Sequence, residues 1–166
     1  GDHTTDWYTI DLVARPNLAA MNLHATPPPY TAEPARDLPA AQGAYTLHQG
    51  ATLRIEARFD KPLNHAAVRM SQGPAIAMQL SEDRRTATGR LTGEQIQPGT
   101  LRLIIEDADG LSPTAPPGFA LRILPDHPPS VRAKLAGVGN MIVANARVPI
   151  ELEIEDDHHV ATLHAE

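Results

Sequence analysis

The sequence predicts an all-β protein, and three observations carry that prediction. Apolar residues alternate with polar ones along several short segments, as in strands that have one face on a core and the other in water. Sixteen prolines and eleven glycines interrupt the chain too often for long helices. Turn residues separate most of the alternating segments. We therefore expect a chain of short antiparallel strands.

The alternating segments follow one another through most of the chain. The clearest are 53–59 and 148–154, in which every second residue is apolar. Five others share the pattern: Tyr8/Ile10/Leu12, Ala66/Val68/Met70, Ile76/Met78/Leu80, Leu101/Leu103/Ile105 and Phe119/Leu121/Ile123. The breaks between them hold turn residues such as Gly50, Pro62, Gly73, Gly93, Gly99 and Gly110. About seven short strands between Pro16 and Leu124 predict an immunoglobulin-like antiparallel β-sandwich, with a closed barrel as the alternative.

Part of the pattern is repeated along the chain. Leu53, Ile55, Ala57 and Phe59 align with Val148, Ile150, Leu152 and Ile154, and the same shift aligns Ala66, Val68 and Met70 with Ala161, Leu163 and Ala165. Tyr8/Ile10/Leu12, followed by Arg15-Pro16, likewise resembles Phe119/Leu121/Ile123, followed by Asp126 to Pro129. A repeat of about 100 residues corresponds to one sandwich per unit. The chain is therefore predicted to be a fragment of a tandem repeat.

The repeat predicts three parts. Residues 1–15 form the last strand of a preceding unit, residues 16–125 a complete sandwich, and residues 126–166 the opening strands of a following, truncated unit. A few strands cannot bury both faces of a sandwich, and exposed strand edges recruit partners. We therefore expect self-association by strand exchange, in which the strand from Trp7 to Val13 complements the tail of another copy.

Composition excludes several functional classes. The net charge of −6 opposes binding to the phosphate backbone of nucleic acids. The absence of cysteine excludes disulfides and thiolate chemistry. No apolar stretch in the sequence is long enough to cross a membrane, so direct membrane insertion by this fragment is not expected.

Three short motifs resemble those of a bacterial family. They are Pro27-Pro28-Pro29-Tyr30-Thr31, Pro125-Asp126-His127-Pro128-Pro129 and Asp156-Asp157. The chain resembles large membrane-anchored envelope proteins that carry tandem immunoglobulin-like repeats in the periplasm. The resemblance implies a periplasmic location and transfers no catalytic residue. Ala32 and His159 stand where the family tends to have glycine, so the turns at these two positions are open to question.

Five carboxylates are candidate calcium ligands. Asp107 and Asp109 precede Gly110, the local spacing of calcium-binding loops, although Asp-Gly is equally typical of a turn between strands. Asp126, Asp156 and Asp157 could gather oxygen ligands around a joint between two units, although acidic residues are also common in exposed turns. Calcium is the only cofactor that the sequence suggests, and the turn is the preferred interpretation.

The remaining candidate sites favour structural interpretations. His158, His159 and His164 beside Asp157 are a weak zinc motif, because adjacent strand residues point to opposite faces. No serine lies in a nucleophile-elbow context and no glycine-rich phosphate loop is present, so an enzyme is not expected. Trp7, the single tryptophan, is expected in packing or at an interface.

The proline-rich segment from Pro27 to Tyr30, with Pro34 and Pro39, is expected to be a stiff loop leading to a strand near Tyr45, with recognition as a polyproline ligand as the alternative. Taken together, the sequence predicts a structural or protein-interaction module. The alternative is a ligand-binding module for calcium-dependent adhesion or carbohydrate.

Overall fold

The computed structural model describes residues 12–39, 42–136 and 149–156, and these form an immunoglobulin-like β-sandwich followed by a two-stranded ribbon. The strands are β1 (Leu18–Thr26), β2 (Arg36–Leu38), β3 (Ala44–His48), β4 (Thr52–Phe59), β5 (Leu63–Met70), β6 (Ala75–Ala77), β7 (Gln79–Leu80), β8 (Thr86–Thr92), β9 (Gly99–Asp107), β10 (Gly118–Leu124), β11 (Ser130–Leu135) and β12 (Ile150–Glu155). Single-turn 3-10 helices occur at Pro29–Thr31 and Gly93–Gln95. None of the helices among these residues is long and apolar enough to cross a membrane.

The strand order is that of an immunoglobulin domain. One sheet has the order β2-β1-β4-β8-β7 and the other the order β3-β10-β9-β5-β6. If β1, β4, β5, β7, β8, β9 and β10 are taken as strands A to G, the sheets are ABED and GFC, as in the immunoglobulin fold. The prediction of an antiparallel sandwich is confirmed, with one parallel pair, β3 beside β10. This pair arises because the chain crosses from the first sheet to the second between β2 and β3.

The core lies where the alternation predicts it. Leu53, Ile55, Ala57 and Phe59 of β4 are at most 1% exposed, whereas the arginines between them are exposed. β5, β9 and β10 contribute the opposite wall through their own alternating apolar residues. The predicted segments at 66–70, 101–105 and 119–123 are therefore strands of this sandwich, and their inward faces meet those of β1 and β4.

The predicted strand at 76–80 divides between the two sheets. Ile76 lies in β6 and pairs with β5, whereas Leu80 lies in β7 and pairs with β8. Between them Met78 is buried, and its backbone N–H donates to the carbonyl of Ala66 at 2.9 Å. The chain therefore changes sheets at Met78, and alternation alone does not reveal such a change because the inward side chains reach the same core.

β8 was not predicted because its inward positions are small. Ala87 and Gly89 face the core, and only Leu91 carries a large side chain. A Cβ at Gly89 would lie 3.2 Å from Cγ of Met78. The glycine thus makes room for Met78 where the chain changes sheets, at the cost of the sequence signal for the strand.

The backbone of Ala32 has a conformation that glycine adopts more readily than alanine. Pro29–Thr31 forms a 3-10 turn, and Ala32, which ends it, has φ of 53° in the left-handed region. An L-residue there costs about 1–2 kcal/mol relative to its preferred conformations. The proline-rich segment is therefore a loop with a helical turn that leads into β2, and β2 pairs with β1. His159, the other position of this kind, lies outside the described residues.

The β11–β12 ribbon is amphipathic. Its two strands pair antiparallel, and its faces separate by chemistry. One face is apolar and consists of Val131, Ala133, Leu135, Ile150, Leu152 and Ile154. The other face is polar and consists of Ser130, Arg132, Lys134, Glu151, Glu153 and Glu155. The alternation predicted for β12 is therefore present, but five of the six apolar residues are exposed.

The ribbon can be matched to β1 and β4 over two apolar pairs. In the sandwich, Leu23 pairs with Ile55 and Met21 with Ala57. In the ribbon, Leu135 pairs with Ile150 and Ala133 with Leu152. The bulge between Leu18 and Ala20 has no counterpart in the ribbon, so the match does not extend further. Val148, residues 157–166 and the first residues of the Tyr8/Ile10/Leu12 segment lie outside the described residues, and the predicted three-part division stays a prediction.

Candidate functional site

The buried carboxylate of Asp107 is the centre of the most elaborate polar cluster among the described residues. Alternation along β9 directs Leu103, Ile105 and then Asp107 inward, and Asp107 is only 1% exposed. Its Oδ1 accepts the backbone N–H groups of Asp109 and Leu111 at 3.0 and 2.9 Å. These bonds fold the chain after β9 into a turn. The preferred interpretation of the Asp-Ala-Asp-Gly sequence as a turn agrees with this geometry.

Lys61 completes the cluster from the turn between β4 and β5. Its Nζ lies 2.5 Å from Oδ2 of Asp107 and 3.6 Å from Oδ2 of Asp109. The same ammonium donates to the carbonyl oxygen of Ala14 at 2.7 Å. We call these four residues the lysine clamp. The clamp connects the segment preceding β1 to the buried end of β9.

Charge and hydrogen bonding shift the pKa values of the clamp in opposite directions. The hydrogen bond from Lys61 holds the pKa of Asp107 below its ordinary value, although desolvation acts in the other direction. The hydrogen bond to Asp107, with the negative charges of Asp107 and Asp109, raises the pKa of Lys61. Both groups are therefore charged at neutral pH, and the buried charge is paired, as a stable buried carboxylate requires.

Two further contacts fix the same connector. The backbone N–H of Asn17 donates to Oδ1 of Asp60 at 2.8 Å, and the backbone N–H of Asp60 donates back to the carbonyl of Asn17. Nη1 of Arg15 donates to the carbonyl of Ser112 at 2.7 Å. Between these contacts Pro16 is buried. The chain entering the sandwich is thus held by the β4–β5 turn, through Asp60 and Lys61, and by the β9–β10 loop, through the carbonyl of Ser112.

The chain leaving the sandwich is held by Gln49. Its backbone N–H donates to the carbonyl of Leu124 at 2.9 Å, and its Oε1 accepts the N–H of Asp126 at 3.3 Å. Its own carbonyl accepts the hydroxyl of Tyr30 at 2.8 Å, so the proline-rich loop buttresses the same place. A mainly apolar cavity of about 700 Å³ lies beside this connector, against Ile96, Ile123 and their neighbours.

The structure places Asp107 and Asp109 at one end of the sandwich and Asp126 at the other. Asp107 and Asp109 lie together, but the ammonium of Lys61 occupies the space between their carboxylates, so a cation there would have to displace it. Asp126 lies at the opposite end of the sandwich, beside Gln49. Asp156 lines a shallow cleft of about 400 Å³ with His127 and Glu155. Asp157, with His158, His159 and His164, lies outside the described residues. Within residues 12–39, 42–136 and 149–156, no three acidic or histidine side chains are grouped to hold a metal ion.

Lys61 and Gln49 are the residues that sequence reasoning missed. In the sequence, Lys61 precedes the turn residue Pro62, and no adjacent residue indicates that its partner is 46 residues away. Gln49 precedes Gly50 in another turn and acts mainly through backbone groups, which carry no sequence signal. A buried acid at the end of an otherwise apolar alternation, as at Asp107, is the one cue that a basic partner was needed.

Comparison with known proteins adds no assignment: neither a protein-family model nor a curated protein matches the sequence.

Proposed function

We propose that the chain is a non-catalytic structural or protein-interaction module, in which the sandwich acts as a spacer with fixed connectors. The lysine clamp is the observation that carries this proposal. It ties the backbone of Ala14, outside the sandwich, to Asp107, inside it, through a single ammonium group. A connector held in this way transmits the orientation of one unit to the next, whereas a free linker of the same length would not.

The second connector supports the same proposal. Gln49 holds the chain at Leu124 and Asp126, and Pro125, Pro128 and Pro129 restrict the backbone around them. Proline fixes φ and stiffens a linker. The sandwich therefore controls the direction of the chain at both of its ends.

The saturation of Asp107 favours a structural role over a catalytic one. A buried acid with a shifted pKa is often a catalytic residue. Here both carboxylate oxygens are occupied, by Lys61 on one side and by two backbone N–H groups on the other. The carboxylate is also only 1% exposed, which favours a role in stabilising the fold over reaction with a substrate.

We propose further that the module belongs to the periplasmic part of a membrane-anchored bacterial envelope protein with repeated sandwiches. The motifs at Pro27–Thr31, Pro125–Pro129 and Asp156 carry this proposal. The left-handed conformation of Ala32 supports it, because this is the backbone that the family's glycine would adopt without strain. The match between the pairs Leu23–Ile55 and Leu135–Ile150 supports the repeat.

Backbone relaxation measured by NMR tests the spacer proposal. In the unaltered protein, amides of residues 12–17 should have order parameters near about 0.85, the value of rigid backbone. In Lys61→Met the order parameters of residues 12–14 should fall towards about 0.6 or below, because the tie to Ala14 is lost, whereas Asn17 stays held by Asp60. Lys134→Met, which removes an exposed lysine on the ribbon, is the matched control and should leave them unchanged. Low order parameters for this connector in the unaltered protein would exclude a fixed joint.

A further inference from the structure

The ribbon exposes an apolar face, whereas the corresponding face in the complete sandwich is buried. In β4, Ile55 is 0% exposed, whereas its counterpart in β12, Ile150, is 56% exposed. Val131, Leu135 and Leu152 are exposed on the same face. Two paired strands with an uncovered apolar face are marginally stable in water and need a packing partner.

The sandwich shows what kind of partner covers such a face. Opposite β1 and β4 lies the second sheet. Its strand β10, the last strand of the sandwich in chain order, buries Phe119 and Leu121 in the shared core. A strand with alternating large apolar residues is therefore one of the elements that close this type of surface.

The sequence carries a second segment with this alternation. The segment Tyr8/Ile10/Leu12 has the alternation of Phe119/Leu121/Ile123 and the same position ahead of a proline-containing connector. At its described end Leu12 is 96% exposed and Val13 is also exposed. In the described sandwich, β10 fills the last-strand position.

Ala14 and Leu124, which border this segment and the ribbon, lie at opposite ends of the sandwich. The N-terminal segment enters the sandwich beside Leu18, at the end where Phe59 and Asp107 lie. The chain that leads to the ribbon leaves the sandwich after Leu124, at the end where His48 lies. The eight residues of β4 separate these ends by about 26 Å at 3.3 Å per residue. The lysine clamp holds Ala14 at the end of the sandwich where Asp107 lies.

We propose that copies of this chain associate head to tail, with the strand at residues 8–13 of one copy lying on the apolar face of β11–β12 of another. This inference rests on the proposed role as an interaction module and names a second copy as the partner. The contact joins two different surfaces, so it is heterologous, and each added copy leaves one strand and one ribbon free. Association should therefore produce open chains whose mean mass rises with concentration.

Complementation between two variants tests the proposal. Leu12→Asp damages only the strand, and Leu152→Lys damages only the ribbon face; both positions are exposed, so the sandwich should melt unchanged. By light scattering, each variant alone should be a monomer at concentrations where the unaltered protein associates. An equimolar mixture should contain a 1:1 dimer and nothing larger, because only one intact strand and one intact ribbon remain. Glu151→Gln, on the polar face, is the control and should associate like the unaltered protein.

Three outcomes would overturn the proposal. A protein that stays monomeric at every concentration has no such contact. A closed dimer that survives Leu12→Asp but not Leu152→Lys indicates two ribbons packed face to face. A mixture of the two variants that stays monomeric shows that the strand and the ribbon do not bind each other. None of these outcomes bears on the rigidity of the connector at residues 12–17, so failure here is distinguishable from failure of the spacer proposal.

Discussion

Nζ of Lys61 lies 2.5 Å from Oδ2 of Asp107, although the two residues are 46 positions apart in the chain. Lys61 comes from the turn after β4, and Asp107 ends β9 in the other sheet. Their pairing therefore fastens the two sheets at one end of the sandwich. Because the same ammonium reaches the carbonyl of Ala14, the stability of this end and the rigidity of the connector depend on one side chain.

Asp107→Asn should destabilise the sandwich far more than Asp109→Asn. An amide at position 107 keeps the shape but removes the charge that pairs with Lys61, and it turns one acceptor into a donor facing an ammonium. Asp109 is about half exposed and lies farther from Lys61, so its loss should have little effect. We expect the melting temperature to fall by several degrees in the first variant, as measured by calorimetry. Equal shifts in the two variants would contradict the importance of the buried pair.

Stability should decline at both extremes of pH. The pKa of Asp107 is lowered from 3.8, so its contribution is present above that value and is lost as the pH falls through the lowered pKa. The pKa values of Asp60 and Asp83 are lowered as well, which adds to the acid limb. The pKa of Lys61 is raised from 10.5, so its contribution is present below that value and is lost as the pH rises through the raised pKa.

Denaturant unfolding measured across pH checks these signs. The free energy of unfolding should have a plateau between the two limbs in the unaltered protein. Lys61→Met should lack the alkaline limb and have a weaker acid limb, because the hydrogen bond from Lys61 is the largest cause of the lowered pKa of Asp107. An unchanged acid limb in this variant would show that Lys61 does not stabilise the carboxylate.

Millimolar calcium should leave the melting temperature unchanged. The carboxylates of Asp107 and Asp109 face an ammonium already in place, and calcium would have to displace it while losing its own hydration. A ligand that binds only the folded state raises stability by mass action, so a melt with calcium and a second with excess chelator measure any binding. A clear rise with calcium would return Asp107, Asp109, Asp126, Asp156 and Asp157 to consideration as ligands, and Asp109→Asn and Asp156→Asn would then locate the site.

Ala32→Gly should stabilise the protein. Alanine at φ of 53° is strained by about 1–2 kcal/mol. Glycine relieves that strain, but its greater conformational entropy stabilises the unfolded chain by about 0.4–1 kcal/mol. The net gain should be small and positive, about 0.5–1 kcal/mol in a denaturant titration. Ala44→Gly, in β3 where the backbone is extended, is the control and should destabilise; a loss of stability in both variants would mean that Ala32 is not strained.

Strands with large inward residues were predictable, and those with small ones were not. The alternation of Leu53 to Phe59 is a direct consequence of burial on one face, so it located β4 correctly. β8 was not predicted because Gly89 interrupts the apolar alternation. The absence of a side chain there leaves room for Met78, and this packing is visible only in the structure. The division of the 76–80 segment escaped for a related reason, since Ile76 and Leu80 face one core from two sheets.

The polar site was predictable only in part. The acidic spacing at Asp107 and Asp109 correctly indicated a turn, but local spacing is silent about a partner from another loop. The role of Lys61 was therefore recognised only from the structure. The ribbon is the converse case: the sequence indicated a strand at Ile150 to Ile154 with a face to bury, and the structure shows that face exposed.

Hydrogen exchange at Ile55 and Ile150 tests most directly whether a complete sandwich is followed by an uncovered part of a second one. The alternating sequence patterns align the two residues, and each lies in a strand of an antiparallel pair, with β1 and β11 respectively. In dilute, monomeric protein, amides of β4 should exchange slower by orders of magnitude than those of β12, because β4 opens only with the whole sandwich whereas the ribbon opens locally. Equal protection of the two strands under these conditions would show that the ribbon is already packed within a single copy and would contradict this account.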